Sequence, residues 1–398
     1  MHIVYNLLAY GRAVCQSLRR HLCHYLFPPT NPQARFWPAS AQWVQWMTFV
    51  WLGFGVWVLA SSSYPSAYED FGDGLYYVRR QLLWVGLGLI EFNVIVRQPL
   101  HRLLQLSRWG LLLLWLALCY TLVAGITING STRWLAVGPM LFQPSEMVKP
   151  LLILESASLF GHWERARGGR TVRLGLFAGI IATILLQPNL STAALCGTLI
   201  WWVALAGGLP KWALAQVAIG GACVGTTSVL FREYQRHRVI SFLNPWEYST
   251  KEGYQLVQSL LAMGSGGLQG AGWGMSHQKM FYLPIQYTDF IFAILAEEVG
   301  FIGCTCVILF LFLYTIMGTQ IVSRTRHPVH RLVAVGSITV LIGQATLNMG
   351  VAMGLLPTTG LPFPFFSYGG NAILSTMFVA AMLVRVAREN PDPLAKKR

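Results

Sequence analysis

The chain has 398 residues, of which 54% are apolar or aromatic and only 11% charged, with a net charge of +14 and a mean hydropathy of +0.50. Soluble domains carry about 25% charged residues, so a water-soluble enzyme is excluded, and so is disorder, which requires low hydrophobicity. The basic residues fall in short stretches between apolar runs, which is the positive-inside pattern of a membrane protein and not that of a nucleic-acid binder.

Residues 1–42 read as a basic cytoplasmic tail with Pro28, Pro29, Pro32 and Pro38 and no cleavable signal. Apolar segments follow at roughly 43–60, 81–96, 109–126, 147–161, 173–187, 192–208, 212–231, 289–317, 330–353 and 371–388. Several approach the about 20 residues of a bilayer crossing. They predict an all-α polytopic membrane protein with ten transmembrane helices over 43–388 and a second cytoplasmic tail over 389–398. An even number of spans puts both termini on one face. Placing that face in the cytoplasm leaves 20 of the 29 Lys and Arg inside, so the expected topology is N-in, C-in. None of the seven cysteines sits in an outer segment and no C-x-x-C occurs, so neither a disulfide framework nor a zinc site is indicated.

On that topology the unusual segments all face outward: 127–146, the long loop 232–288 between the seventh and eighth spans, and the Pro/Gly-rich 354–370. The long loop contains Trp246, Tyr254, Trp273 and Phe281 and is expected to be ordered. The charge-free run Pro357 to Gly370 reads as a re-entrant loop before the tenth span, because irregular backbone at membrane depth needs protein or a watery cavity around it.

Each polar constellation has a bland reading and a functional one. Gln143-Pro144-Ser145-Glu146 with Lys149 is either a helix start with an i,i+3 ion pair or, with Arg133, an anion site for a phosphorylated lipid headgroup. Arg79 and Arg80 begin the second span on the same face, where snorkelling alone would account for them. The run Arg232 to Arg238 resembles a solvated face or a surface anchor, and the glycines between Gly264 and Gly274, ahead of Lys279, permit close backbone approach without forming a nucleotide motif. Asp289 opens the eighth span either as a helix cap or as a general base, kept ionised by the helix N-terminus. Glu297 and Glu298, deeper in that span, read as structural carboxylates or as a proton relay, and Glu91 and Glu155 are read the same way.

Taken in order, Arg133-Trp134, Gln143-Pro-Ser-Glu146 with Lys149, Gln187-Pro188, Gly253-Tyr-Gln255, Leu283-Pro284 with Thr288-Asp289-Phe290, Glu297-Glu298-x-Gly300 and Pro357-x-x-Gly360 with Ser367-Tyr-Gly-Gly370 resemble the shape, elongation, division and sporulation family. Asn244-Pro245-Trp246 resembles its cell-division branch. The resemblance implies a peptidoglycan glycosyltransferase that polymerises lipid II on the outer face of the inner (cytoplasmic) membrane, partnered by a class B penicillin-binding protein and other division proteins. It makes Asp289 the catalytic residue, with Arg80, Arg133, Glu146, Lys149 and the turn Ser367, Tyr368, Gly369, Gly370 lining or shaping the cavity. For the chemistry, Asp289 would take the proton of the attacking sugar hydroxyl, while Arg80, Arg133, Lys149 and Lys279 are candidates to stabilise the departing pyrophosphate. No cofactor is expected. A divalent cation could share that task, but no acid cluster in the outer segments marks a site for one. The chain departs from the family pattern at Asn189, where an acid is frequent, and at Ile285-Gln286-Tyr287, where a Glu-x-His is frequent. The rival readings are a translocase of lipid-linked precursor and a non-catalytic division scaffold.

Overall fold

The computed structural model describes residues 37–128, 131–138 and 140–390. Most of the expected tail 1–42 and the end of the second tail therefore lie outside the described residues. Every expected apolar segment falls on a helix. The first helices in chain order are α1 (Ala39–Phe71), α2 (Tyr76–Arg97) and α3 (Leu100–Ala124). After the strands β1 (Ile126–Ile128), β2 (Ser131–Val137) and β3 (Met140–Phe142) come α4 (Pro144–Gly161), α5 (Arg170–Leu186), α6 (Leu190–Ala206) and α7 (Lys211–Phe231). The long loop then holds α8 (Glu233–Leu243) and α9 (Tyr254–Gly266), followed by α10 (Ile291–Arg324), α11 (Pro328–Ala352) and α12 (Gly370–Glu389).

Six of these, α1, α3, α7, α10, α11 and α12, are long and apolar enough to cross a membrane. The others fall short for visible reasons. Charges interrupt α2 at Arg79, Arg80, Glu91 and Arg97 and α4 at Glu146, Lys149 and Glu155, while α5 and α6 have only 17 residues each. The structure corrects the all-α expectation in one place. Segment 126–142 is an antiparallel sheet in the order β1-β2-β3, with Thr127 opposite Thr132 and Val137 opposite Met140. Its β-branched and aromatic residues suit a pleated surface.

The core is assembled around α4, α11 and α12, whose side chains are buried along much of their length, whereas α7 buries only Leu214. α1 runs past its expected end at 60, which brings the buried serines Ser61, Ser62 and Ser63 to the base of the long loop. α10 is broken at Gly300, whose φ of +64° suits glycine and strains any other residue. The break frees backbone groups that a lipid environment could not satisfy, and the glycine-rich stretch after α9 supplies their partners. Ala271 N–H donates to the Glu297 carbonyl (2.9 Å), Gly272 N–H to that of Glu298 (3.0 Å), and Phe301 N–H to that of Gly267 (2.9 Å). That docking is what the glycine cluster is for: a Cβ on Gly270 would lie 2.2 Å from the Glu298 carbonyl oxygen.

The run 354–370 is irregular backbone with Leu361, Phe363, Phe365 and Phe366 buried. Its carbonyls are capped from α11, where Gln344 Nε2 donates to Pro362 O (2.7 Å) and Asn348 Nδ2 to Leu361 O (2.8 Å). Trp51 of α1 packs edge-on against Phe363 and Phe365.

Candidate active site

At one end of the bundle a cavity of about 670 Å³ is enclosed by the starts of α2, α4, α6 and α12, the strands, α8, and the loops 284–290 and 359–370. Asp289 lies in its wall, half-buried, one residue before the Phe290 that caps α10. It is therefore not the helix cap. Its position is fixed through the backbone, where the Asp289 carbonyl accepts from Asn348 Nδ2 (2.8 Å) and the neighbouring Thr288 carbonyl accepts from Ser367 Oγ (2.6 Å). No hydrogen bond or ion pair reaches its carboxylate among the described residues. Gly360, at a φ of +71°, faces that carboxylate, and a Cβ there would sit 3.5 Å from Oδ2.

The expectation that the helix terminus keeps Asp289 readily ionised is corrected by its surroundings. Burial raises its carboxyl above the ordinary range, and the charges of Arg238 and Arg133 pull it back only in part. A carboxylate displaced upward is the stronger base once ionised, which is the direction general-base catalysis near neutral pH requires.

The cations come from three elements. Arg133 on β2 is aimed by the α5–α6 turn, donating through Nε to Gln187 O (3.2 Å) and through Nη2 to Pro188 O (2.5 Å). Arg80 at the start of α2 rests on Tyr76, with Nη1 3.2 Å from the phenol oxygen. Arg238 of α8 is held over the Tyr234 ring at 4.5 Å and donates to Thr358 O (3.0 Å). The reading of the run Arg232 to Arg238 as a solvated face or a surface anchor misses this place of Arg238 in the cavity wall. The available signal was its place in the one long loop assigned to the same face as Asp289.

The remaining expected site residues divide in two. Glu146, Tyr368, Gly369 and Gly370 line the cavity; Lys149, Ser367 and Lys279 do not. Lys149 is buried in an ion pair with Glu146 (2.7 Å) and donates to Gln344 Oε1 (3.0 Å), which ties α4 to α11. Ser367 is buried under the turn, where its hydroxyl also accepts from Phe363 N–H (2.8 Å). Lys279 is the clearest correction, because its ammonium is enclosed by Glu298 Oε1 (2.8 Å) and Ser61 Oγ (2.9 Å) and so cannot serve as a cavity cation. Glu297 is equally committed, accepting from Ser276 Oγ, His277 N–H (2.9 Å) and Gln278 N–H (3.2 Å). Arg79 pairs with Asp73 (2.6 Å), outside the cavity. Asn189, in place of the frequent acid, lines the cavity and caps α6 by accepting from Thr192 N–H (3.3 Å).

The fold and the cavity define a polytopic helical membrane protein with a cation-lined chamber around one unpaired carboxylate. The chain belongs to the cell cycle protein family of FtsW, RodA and SpoVE, which it matches over residues 42–392. It is 51% identical over 367 residues to an FtsW of Mesostigma viride, covering 92% of this chain and 88% of that one. It is 48% identical over 374 residues to the "Probable peptidoglycan glycosyltransferase FtsW" of Synechocystis sp., covering 94% and 95%. Among solved structures it superposes on a chain described under "Structural coordination of polymerization and crosslinking by a peptidoglycan synthase complex", with a TM-score of 0.71, 26% identity and coverage of 87% and 97%. The Thermus thermophilus rod shape determining protein RodA gives a TM-score of 0.65 at 25% identity, covering 87% and 96%.

Proposed function

We propose that this chain is a peptidoglycan glycosyltransferase of cell division that polymerises lipid II, with Asp289 as general base. The observation that carries the reading is a carboxylate with no bonding partner among the described residues, facing a cavity lined by Arg80, Arg133 and Arg238. The acceptor's GlcNAc 4-hydroxyl attacks C1 of the donor MurNAc while Asp289 removes the hydroxyl proton. The C1–O bond to the undecaprenyl pyrophosphate breaks, and negative charge grows on the leaving group. A sugar hydroxyl is a poor nucleophile until that proton begins to leave, and a positioned base typically contributes about 10²–10⁴-fold. Arg80, Arg133 and Arg238 supply fixed positive charge for the leaving group, and the pyrophosphate linkage supplies the driving force.

The reading keeps ten spans with both termini in the cytoplasm, supported by a helix at each expected span and by the distribution of Lys and Arg. α2, α4, α5 and α6 would cross as members of the bundle, with Glu146, Lys149 and Glu155 of α4 buried inside it. On this reading the cavity opens on the outer face of the cytoplasmic membrane, and Lys211 and the loop 164–173 lie inside. The partner in this reading is a class B penicillin-binding protein, in keeping with the synthase complex that the fold resembles. The translocase reading needs a polar cavity opening to both faces, which Glu297 and Glu298 could serve, but both are bonded to the long loop or to Lys279.

The test is purified protein with its transpeptidase partner, given lipid II in detergent, where crossing a bilayer has no meaning. Glycan strands made by the wild type and not by Asp289→Asn or Asp289→Ala are expected. Equal product from the variants would remove Asp289 from the mechanism. No product from the wild type, alongside lipid movement in liposomes, would favour the translocase.

A further inference from the structure

A second pocket, of about 490 Å³, lies at the other end of α4. Glu146 faces the first cavity and His162, which caps the helix, lines the second, so the two are separated by about 24 Å of helix rise. Three elements build it: His101 and Arg108 from α3, Ser158 and His162 from the end of α4, and His327 and His330 where α11 begins. The His162 and His327 rings stand 6.3 Å apart and those of His327 and His330 4.4 Å apart, so the imidazoles converge on one space.

The acids nearby are already engaged. Glu155 is held by Arg173 (3.2 Å), Arg108 Nε (3.4 Å) and Ser107 Oγ (3.1 Å), and Glu389 by Arg385 (2.5 Å) and His330 (3.4 Å). Among the described residues Arg108 commits only its Nε, to Glu155, which leaves both Nη groups of a half-exposed side chain to the pocket. His101, His162 and His327 meet no hydrogen-bond partner among the described residues. The pocket thus offers a guanidinium and several imidazoles, each able to donate even when neutral, with no free carboxylate. That inventory fits a phosphate. The rim is different in kind. Trp109, 70% exposed, and Leu104 form its wall, and the next exposed residues along α3 are Leu106 and Leu113. An exposed tryptophan beside basic groups, leading onto an apolar helix face, suits a molecule with a phosphate at one end and a hydrocarbon chain at the other.

We propose that this pocket binds the phosphate of an anionic phospholipid headgroup, its acyl chains lying along α3 from Trp109. The site is remote from Asp289 and does not depend on the glycosyltransferase reading.

The full-length protein in detergent is titrated with dioleoylphosphatidylglycerol, dioleoylphosphatidylcholine or inorganic phosphate, and bound molecules are counted by native mass spectrometry. The wild type is expected to retain one phosphatidylglycerol at least ten-fold more tightly than phosphatidylcholine. The Arg108→Gln, His162→Gln, His327→Gln triple variant is expected to lose that preference. The wild-type comparison stands whether or not the variant folds. Equal retention of the two lipids by the wild type would overturn the proposal, as would undiminished phosphatidylglycerol binding by a folded triple variant. Displacement of the lipid by millimolar inorganic phosphate would assign the pocket to a soluble anion and overturn the lipid assignment.

Discussion

Asp289 and the pair Glu297–Glu298 lie within ten residues on one stretch of chain, and the structure treats them in opposite ways. Asp289 stands just outside α10, facing a cavity, with no partner on its carboxylate among the described residues. Glu297 and Glu298 are almost wholly buried, and each accepts from several donors that anchor the long loop to α1 and α10. Intramembrane acids alone would point to Glu297 and Glu298 as the chemical groups. What separates chemistry from architecture here is satisfaction. A carboxylate whose acceptor capacity is filled holds a loop, whereas one that is desolvated and unfilled is ready to take a proton.

The strongest way to break that contrast is to neutralise each member. Asp289→Asn keeps the shape and removes the proposed base, so polymerisation should fall by about 10²–10⁴-fold in a lipid II assay. Stability should not fall with it. Because burial raises the carboxyl of Asp289 above its unfolded value, the protonated form favours folding at low pH and that contribution is lost as pH rises through the folded pKa. The amide removes the penalty, so a melting temperature at pH 7.5 equal to or above that of the wild type is expected. A clear drop would mean that Asp289 is structural.

Glu298→Ala should show the reverse pattern. It leaves the Lys279 ammonium buried against Ser61 without its counter-ion, a defect that costs about 3–5 kcal/mol. The melting temperature in detergent should drop sharply. The Glu298→Met, Lys279→Met double variant should recover much of it, since a buried pair replaced by apolar residues of similar volume is often neutral or better. A single variant that melts like the wild type would show that the pair is no anchor.

The helices were legible in the sequence because apolar runs of bilayer length have few alternatives, and the catalytic candidate was legible because its motif neighbours recur in a known family. Two features were hidden for physical reasons. The sheet of β1, β2 and β3 is built from three- and seven-residue strands, too short to impose a period on a segment read against helical spans. Lys279 and Arg238 were misplaced in opposite directions because charge reveals neither burial nor partner. Lys279 closes on Glu298, nineteen residues later, and Arg238 reaches Thr358 from another element 120 residues away. A structural reading of Glu297 and Glu298 was available in the sequence, and what the motif does not express is the set of donors that the long loop and α1 bring to them.

Arg238→Gln sharpens the electrostatic half of the contrast. Arg238 and Arg133 both favour the ionised form of Asp289, so removing Arg238 should raise that pKa further. A general base must be deprotonated to act, and the acid limb of the kcat/KM profile should therefore move to higher pH. Activity at the optimum should also fall, by at most about 10²-fold, through the lost stabilisation of the leaving group. Loss of activity with an unmoved acid limb would place Arg238 on the substrate without coupling to Asp289.

The smallest effect belongs to Asn189, which shares the cavity wall with Asp289 while performing a structural task. Its side chain accepts from Thr192 N–H and caps α6, so Asn189→Ala should cost about 1 kcal/mol, read as a modest fall in melting temperature. Asn189→Asp keeps the acceptor and should keep the stability, because a negative charge at a helix N-terminus is favourable. It also puts a second carboxylate into the cavity with Asp289. Like charge disfavours ionisation, so the acid limb should move upward without any loss of stability. A melting temperature shared by wild type and Asn189→Asp, together with a displaced pH profile, would show that one position can serve the fold and tune the base at once.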